Sequence, residues 1–262
     1  MNRIKDLFSR KNKDILSVYF TAGFPALNDT QRIITTLDKH GADLIEIGIP
    51  FSDPVADGPV IQKSSEKALK NGISLSLIFE QLKNIREKTQ IPLILMGYIN
   101  PIHKMGMERF LQRSSEIGID GMIIPDLPLE IYKSQYKKLF SKTGISNILL
   151  ITPQTPEKRV RMIDRESDGF IYMVSSYATT GAKENFSDTQ KKYFRKVQSM
   201  NLKNPCLVGF GVSNNATYTS ACEYASGAII GSAFIKALEK PDPLDKKVND
   251  FISDIRGKSS AN

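Results

Sequence analysis

The sequence predicts an α/β fold, a closed (β/α)8 TIM barrel with a short N-terminal helix, and three observations carry the prediction. Eight short apolar runs rich in β-branched residues alternate with longer helical patterns along the chain. Runs of that kind, buried on both faces, suit parallel strands under a helical layer. The length of 262 residues matches one such barrel, so 1–262 is expected to form a single domain. An open doubly wound sheet is the alternative. Against it, the turn after the first strand reads TAGFPALND rather than a dinucleotide fingerprint, and Gly209-Phe210-Gly211 lacks a third glycine at the expected offset.

The elements follow in order. The opening MNRIKDLFSRKNKD sets Ile4, Leu7 and Phe8 on one face of a short helix, suited to closing the bottom of a barrel. It lacks the apolar core of a signal peptide, and Asp6 and Asp14 interrupt its basic face, which argues against a membrane-surface role. The first strand, LSVYFTAG from Leu16, precedes a helical pattern over 29–39; the second, DLIEIG from Asp43, precedes two, over 61–70 and 75–88. PLILMGY from Pro92 leads to 107–117, DGMIIPD from Asp120 to 130–142, and SNILLIT from Ser146 to 156–165. DGFIYMVSS from Asp168 leads to 189–200, PCLVGFG from Pro205 to 214–223, and SGAIIGS from Ser226 to 232–238. Gly, Pro, Asn or Asp bound each run and punctuate the alternation.

Composition excludes several function classes. The net charge of +8 and pI near 9.3 suit an anionic partner, but Lys and Arg alternate with acids along the helical segments. The densest cluster, Lys191, Lys192, Arg195 and Lys196, reads as a solvated helix face, and the lack of a basic stripe interleaved with aromatics argues against nucleic acid. No apolar run is long enough to span a bilayer. Cys206 falls in a strand and Cys222 in a helical pattern, as expected of two reduced thiols, so the protein is expected to be cytoplasmic.

The chemistry concentrates in LIEIGIPFSDPVADGP, from Leu44 to Pro59, which sets Glu46 in an apolar strand and Asp57 in the loop that follows. An unpaired carboxylate is expensive to bury, so an acid inside a hydrophobic run usually has a job. Pro50, Pro54, Gly58 and Pro59 restrain the loop, and two carboxylates so placed can share acid–base work. The competing reading pairs Glu46 with a buried Lys or Arg and makes Asp57 a cap for the helix beginning near Pro59. At the other end of the sheet, Gly181, Gly209, Gly211 and Gly231-Ser232 follow the sixth to eighth strands, where barrels commonly bind phosphate through backbone N–H groups. Tyr19, Met96, Ile123, Tyr172 and Phe210, with Ile61 nearby, are expected to form an apolar slot for a flat aromatic ring. His40 ends a helical pattern and His103 stands alone in a loop, so no histidine cluster holds a metal, and no strand interior carries a Lys for a Schiff base.

IEIGIPFSDPVADGP, the Gly-Phe-Gly ending at Gly211 and GAIIGSAFIK from Gly227 resemble the bacterial tryptophan synthase α subunit family, over nearly the whole chain. The resemblance implies cleavage of indole-3-glycerol phosphate to indole and glyceraldehyde 3-phosphate. It implies no cofactor in this chain and transfer of indole to a β subunit, which uses pyridoxal phosphate, in an αββα tetramer. It places the proton-transferring glutamate at Glu46, the second carboxylate at Asp57, and substrate or phosphate contacts at Tyr172, Thr180, Gly181, Gly211, Gly231 and Ser232. It puts the loop holding Asp53 and Pro54, and the one following Asn100 and Pro101, against the β subunit. The loop SSYATTGAKE departs from the pattern, with Tyr177 and Ala178 where many relatives carry a small residue and Gly. Two other classes stay open: a phosphate-binding isomerase barrel of histidine or tryptophan biosynthesis would lack the Glu46 and Asp57 spacing, and a subunit that only activates a partner would lack a working carboxylate pair.

Overall fold

The computed structural model describes residues 2–175 and 185–257. Among them eight parallel strands close into a barrel in sequence order: β1 (Ile15–Thr21), β2 (Leu44–Gly48), β3 (Leu93–Met96), β4 (Gly121–Ile123), β5 (Ser146–Ile151), β6 (Ile171–Val174), β7 (Cys206–Gly209) and β8 (Gly227–Ile230). Pairing of β8 with β1 completes the ring, Ile15 opposite Gly227. Because successive residues of a strand point to opposite faces, each strand serves two cores. Leu16, Val18 and Phe20 of β1 and Ile45 and Ile47 of β2 pack outward beneath the helices. Ile15, Tyr19, Leu44, Ile94, Ile148, Tyr172 and Ile229 fill the interior.

The helical layer begins with α1 (Arg3–Arg10), α2 (Thr30–Lys39), α3 (Pro59–Lys70), α4 (Leu75–Leu82), α5 (Ile99–Met105) and α6 (Met107–Glu116). It continues with α7 (Leu129–Ile131), joined by a π-helical stretch to α8 (Lys137–Thr143), then α9 (Glu157–Glu166), α10 (Asp188–Ser199), α11 (Asn215–Tyr224), α12 (Ser232–Leu238) and α13 (Leu244–Arg256). The helix α1 closes the bottom as its sequence suggests. Ile4 and Leu7 are buried in the interior cluster, and the Phe8 and Phe170 ring centroids stand 5.9 Å apart. Ion pairs lock it there. Asp120, 3 % exposed, takes Arg86 at 2.6 Å and Arg3 at 3.1 Å, while Asp43 takes Lys11 and Arg256, each at 2.7 Å.

Four segments differ from the sequence expectation. His103 lies in α5 rather than in a loop, together with Asn100 and Pro101; Pro101 falls in the first turn, where backbone N–H groups have no intrahelical acceptor to lose. The 75–88 pattern stops at Leu82 and resumes as a 3-10 turn over Ile85–Glu87. The 130–142 pattern contains the π stretch Tyr132–Tyr136. Helix α13 was not anticipated, although Val248, Phe251, Ile252 and Ile255 recur at helical spacing and bury one face. No helix among the described residues is long and apolar enough to cross a membrane.

Candidate active site

At the carboxyl ends of the strands a cavity of about 740 Å³ opens, and the period-two alternation decides what lines it. Tyr19, Met96, Tyr172 and Phe210 reach its wall from the strand ends and Ile61 from α3, so the apolar slot forms as expected. Ile123 does not join them. It is fully buried in the interior cluster and does not line the cavity, although its ladder partner Met96 does. The tyrosines need room: a Cβ on Gly48 would collide with the Tyr19 ring and one on Gly209 with the Tyr172 ring. Burial pushes both phenols well above the usual tyrosine range, so they stay neutral.

Glu46 stands beside Tyr19 in the β1–β2 ladder and is fully buried. Its Oε1 accepts a hydrogen bond from Ser17 Oγ at 2.9 Å, and Oε2 has no partner. No basic side chain pairs with it among the described residues, so the competing ion-pair reading fails, and burial raises its carboxyl to about 8. The carboxyl lies just beneath the cavity wall rather than on it.

Asp57 lines the cavity from the loop between β2 and α3. It is not the helix cap, because Gly58 occupies that position and no side chain caps the turn. Burial raises its carboxyl to about 6, and a hydrogen bond with the Tyr98 hydroxyl opposes the rise. The same hydroxyl accepts Ala56 N–H at 2.9 Å, so Tyr98 ties the loop of Asp57 to the start of α5.

The opposite end of the cavity is polar. Gly211 adopts φ +77°, a left-handed conformation that suits glycine, and Ser175 Oγ donates to the carbonyl of Phe210 at 2.5 Å. Gly231 and Ser232 open α12, and Ser213 and Lys236 join them on the wall. Thr180 and Gly181, with Tyr177 and Ala178, lie outside the described residues. No group of three or more metal-ligating side chains gathers among the described residues.

Sequence reasoning missed Ser17, Tyr98, Ser213 and Lys236, and some signals were available. Ser17 is a polar residue two positions before Tyr19, on the same side of a largely apolar strand, and Tyr98 follows the end of β3 at Met96 by two positions. Lys236 follows Ser232 by one helical turn.

The chain has counterparts among known proteins. The family model for tryptophan synthase alpha chain matches residues 6–260. The tryptophan synthase alpha chain of Bacteroides thetaiotaomicron is 55 % identical over 248 residues, covering 95 % of this chain and 97 % of the relative. Among solved structures, tryptophan synthase subunit alpha from Legionella pneumophila str. Paris superposes with a TM-score of 0.87 at 33 % identity, covering 98 % of each chain. A chain of the tryptophan synthase complex from Pyrococcus furiosus superposes with a TM-score of 0.85 at 35 % identity, covering 94 % of this chain and 99 % of that one. A family-model match over residues 6–260, with relatives more than half identical over nearly the whole chain, places this chain in the tryptophan synthase alpha chain family.

Proposed function

We propose that Glu46 and Asp57 carry, in this chain, the family's lyase reaction: cleavage of indole-3-glycerol phosphate to indole and glyceraldehyde 3-phosphate. The observation that carries the reading is a contrast between two acids at one site. Glu46, fully buried and held to about 8, keeps its proton at neutral pH, whereas Asp57, half-buried beside the Tyr98 hydroxyl and held to about 6, is ionised there.

Glu46 gives its proton to C3 of the indole, turning the ring into an indolenium. The hydroxyl on the carbon attached to C3 loses its proton to the glutamate and becomes the aldehyde, while the electrons of the broken carbon–carbon bond flow into the ring. One proton leaves Glu46 and one returns, and the ring is the electron sink, so this step needs no cofactor in the chain. Asp57 accepts the ring N–H and offsets the positive charge developing on it. Tyr19, Ile61, Met96, Tyr172 and Phe210 hold the ring, while Gly211, Gly231 and Ser232, with Thr180 and Gly181 by resemblance, hold the phosphate.

The indole passes to a β subunit carrying pyridoxal phosphate, in an αββα assembly, with the chain 1–262 acting as one domain. Asp53, Pro54, Asn100 and Pro101 form the contact. Val55, which follows Pro54, is 85 % exposed, an apolar side chain at the tip of the loop that ends in Asp57. Incubating the purified chain with indole-3-glycerol phosphate, with and without a β subunit, and assaying indole tests the reading; no indole under either condition overturns it.

A further inference from the structure

We propose that Ser17 latches Glu46 beneath the floor of the cavity, as a positioning residue that sets how readily the glutamate reaches the substrate. The inference rests on the assignment of Glu46 as the proton-transferring group. Both side chains are fully buried, and Ser17 Oγ donates to Oε1 at 2.9 Å. The ladder neighbour of Glu46 on β1 is Tyr19; Ser17 stands opposite Leu44, two residues nearer the strand starts. The bond therefore draws the carboxyl toward the closed bottom of the barrel and away from its mouth.

The covered position is at odds with the chemistry. Asp57, Tyr19 and Tyr172 are on the cavity wall and Glu46 is not, although it is the group that must touch a substrate carbon. A carboxyl with no accessible surface delivers a proton only after its torsions carry it upward, and that movement breaks the bond to Ser17. The covered state is poised for release, because Oε2 has no partner there and nothing else holds the carboxyl down among the described residues. One neutral hydrogen bond is worth about a 2- to 10-fold change in the population of the released state.

The test compares Ser17→Ala with Ser17→Thr, which keeps the hydroxyl, in the full-length chain. One readout is labelling of Glu46 by a water-soluble carbodiimide and an amine, followed by peptide mass spectrometry; the other is the steady-state rate of indole release. The Ala variant is expected to label Glu46 and release indole about 2- to 10-fold faster, with KM unchanged, and the Thr variant is expected to match wild type. Should the Ala variant fail to fold, Ser17→Cys, similar in size and a weaker donor, makes the same comparison. Labelling that is no faster without the hydroxyl, or equal changes in the Ala and Thr variants, overturns the latch. Glu46→Gln serves as the control: if it stays active, the catalytic assignment fails while the labelling still decides the latch.

Discussion

At the scale of the residue, the two carboxylates set a pH window with a defined sign. The proposed reaction needs Glu46 protonated and Asp57 ionised, so kcat/KM should rise as pH climbs through about 6 and fall as it passes about 8. The substrate phosphate also ionises near pH 6, at about the same point as Asp57, so the alkaline limb is the cleaner reporter of the protein. A flat profile from pH 7 to 9.5 would remove Glu46 as the acid. Glu46→Gln should cost about 10²–10⁴-fold in indole formation with substrate affinity within a small factor, and Asp57→Asn should also be severely impaired. Stability supplies an independent check. The Glu46 carboxyl ionises at 4.5 in the unfolded chain and about 8 in the fold, so the fold binds the proton more tightly and wild-type stability falls as pH rises between those values. Glu46→Gln cannot ionise. Its stability relative to wild type should therefore grow across the same window, by on the order of a few kcal/mol, and level off above it in urea unfolding measured at several pH values.

At the scale of the element, Tyr98 and Gly211 show how loops are held. Tyr98→Phe removes the hydroxyl that steadies Asp57 and accepts Ala56 N–H. The acid limb of kcat/KM should move upward and turnover should fall roughly tenfold, and an unmoved limb would show that Tyr98 does not govern Asp57. Gly211→Val acts through the backbone rather than through bulk. A Cβ there meets Ser175 Oγ at an ordinary 3.5 Å, but φ +77° strains a β-branched residue by about 1–3 kcal/mol. Loop geometry should suffer and glycerol phosphate should bind less tightly by calorimetry, with indole affected less; Ser232→Asp should do the same by charge repulsion. Unchanged glycerol phosphate affinity in both variants would place the phosphate elsewhere.

At the scale of the whole molecule, the bottom of the barrel secures the fold and the top carries the site. Asp120 is nearly fully buried against Arg86 and Arg3, and it also accepts Leu93 N–H at 3.0 Å. Asp120→Ala should cost a few kcal/mol, up to about 3–5, because it removes the buried carboxylate that two partly buried guanidinium groups share, while the folded fraction keeps its activity. Thermal melts and rate per folded molecule check both halves. Partner binding belongs to the same scale. Asp53 and Pro54 share a short loop with Asp57, and Tyr98 ties that loop to α5, which holds Asn100 and Pro101. Fixing either contact should steady the carboxylate, so titrating a β subunit should raise activity, with a coupling of about 1–3 kcal/mol. A bound glycerol phosphate should tighten association to the same degree. Equal activity at every ratio with an unchanged dissociation constant would sink the interface reading.

The sequence by itself determined the barrel and singled out Glu46 and Asp57 as its candidate acids. The eight strands were legible because parallel strands buried on both faces demand apolar β-branched runs, and Glu46 stood out as the charge that such a run cannot absorb without a reason. Helix boundaries were less legible, since a proline in a first turn and a helix after Pro243 look locally like loop. Only the tertiary structure decided the rest. Period two predicts which residues point inward, but packing in three dimensions decides which of them surface in the cavity, so Met96 lines it while its ladder partner Ile123 is fully buried. The partners of the two acids were out of reach for the same reason. The strand pairing that brings Ser17 to Glu46 and the fold that brings Tyr98 to Asp57 join residues distant in sequence, and pattern along one chain carries no distance between them.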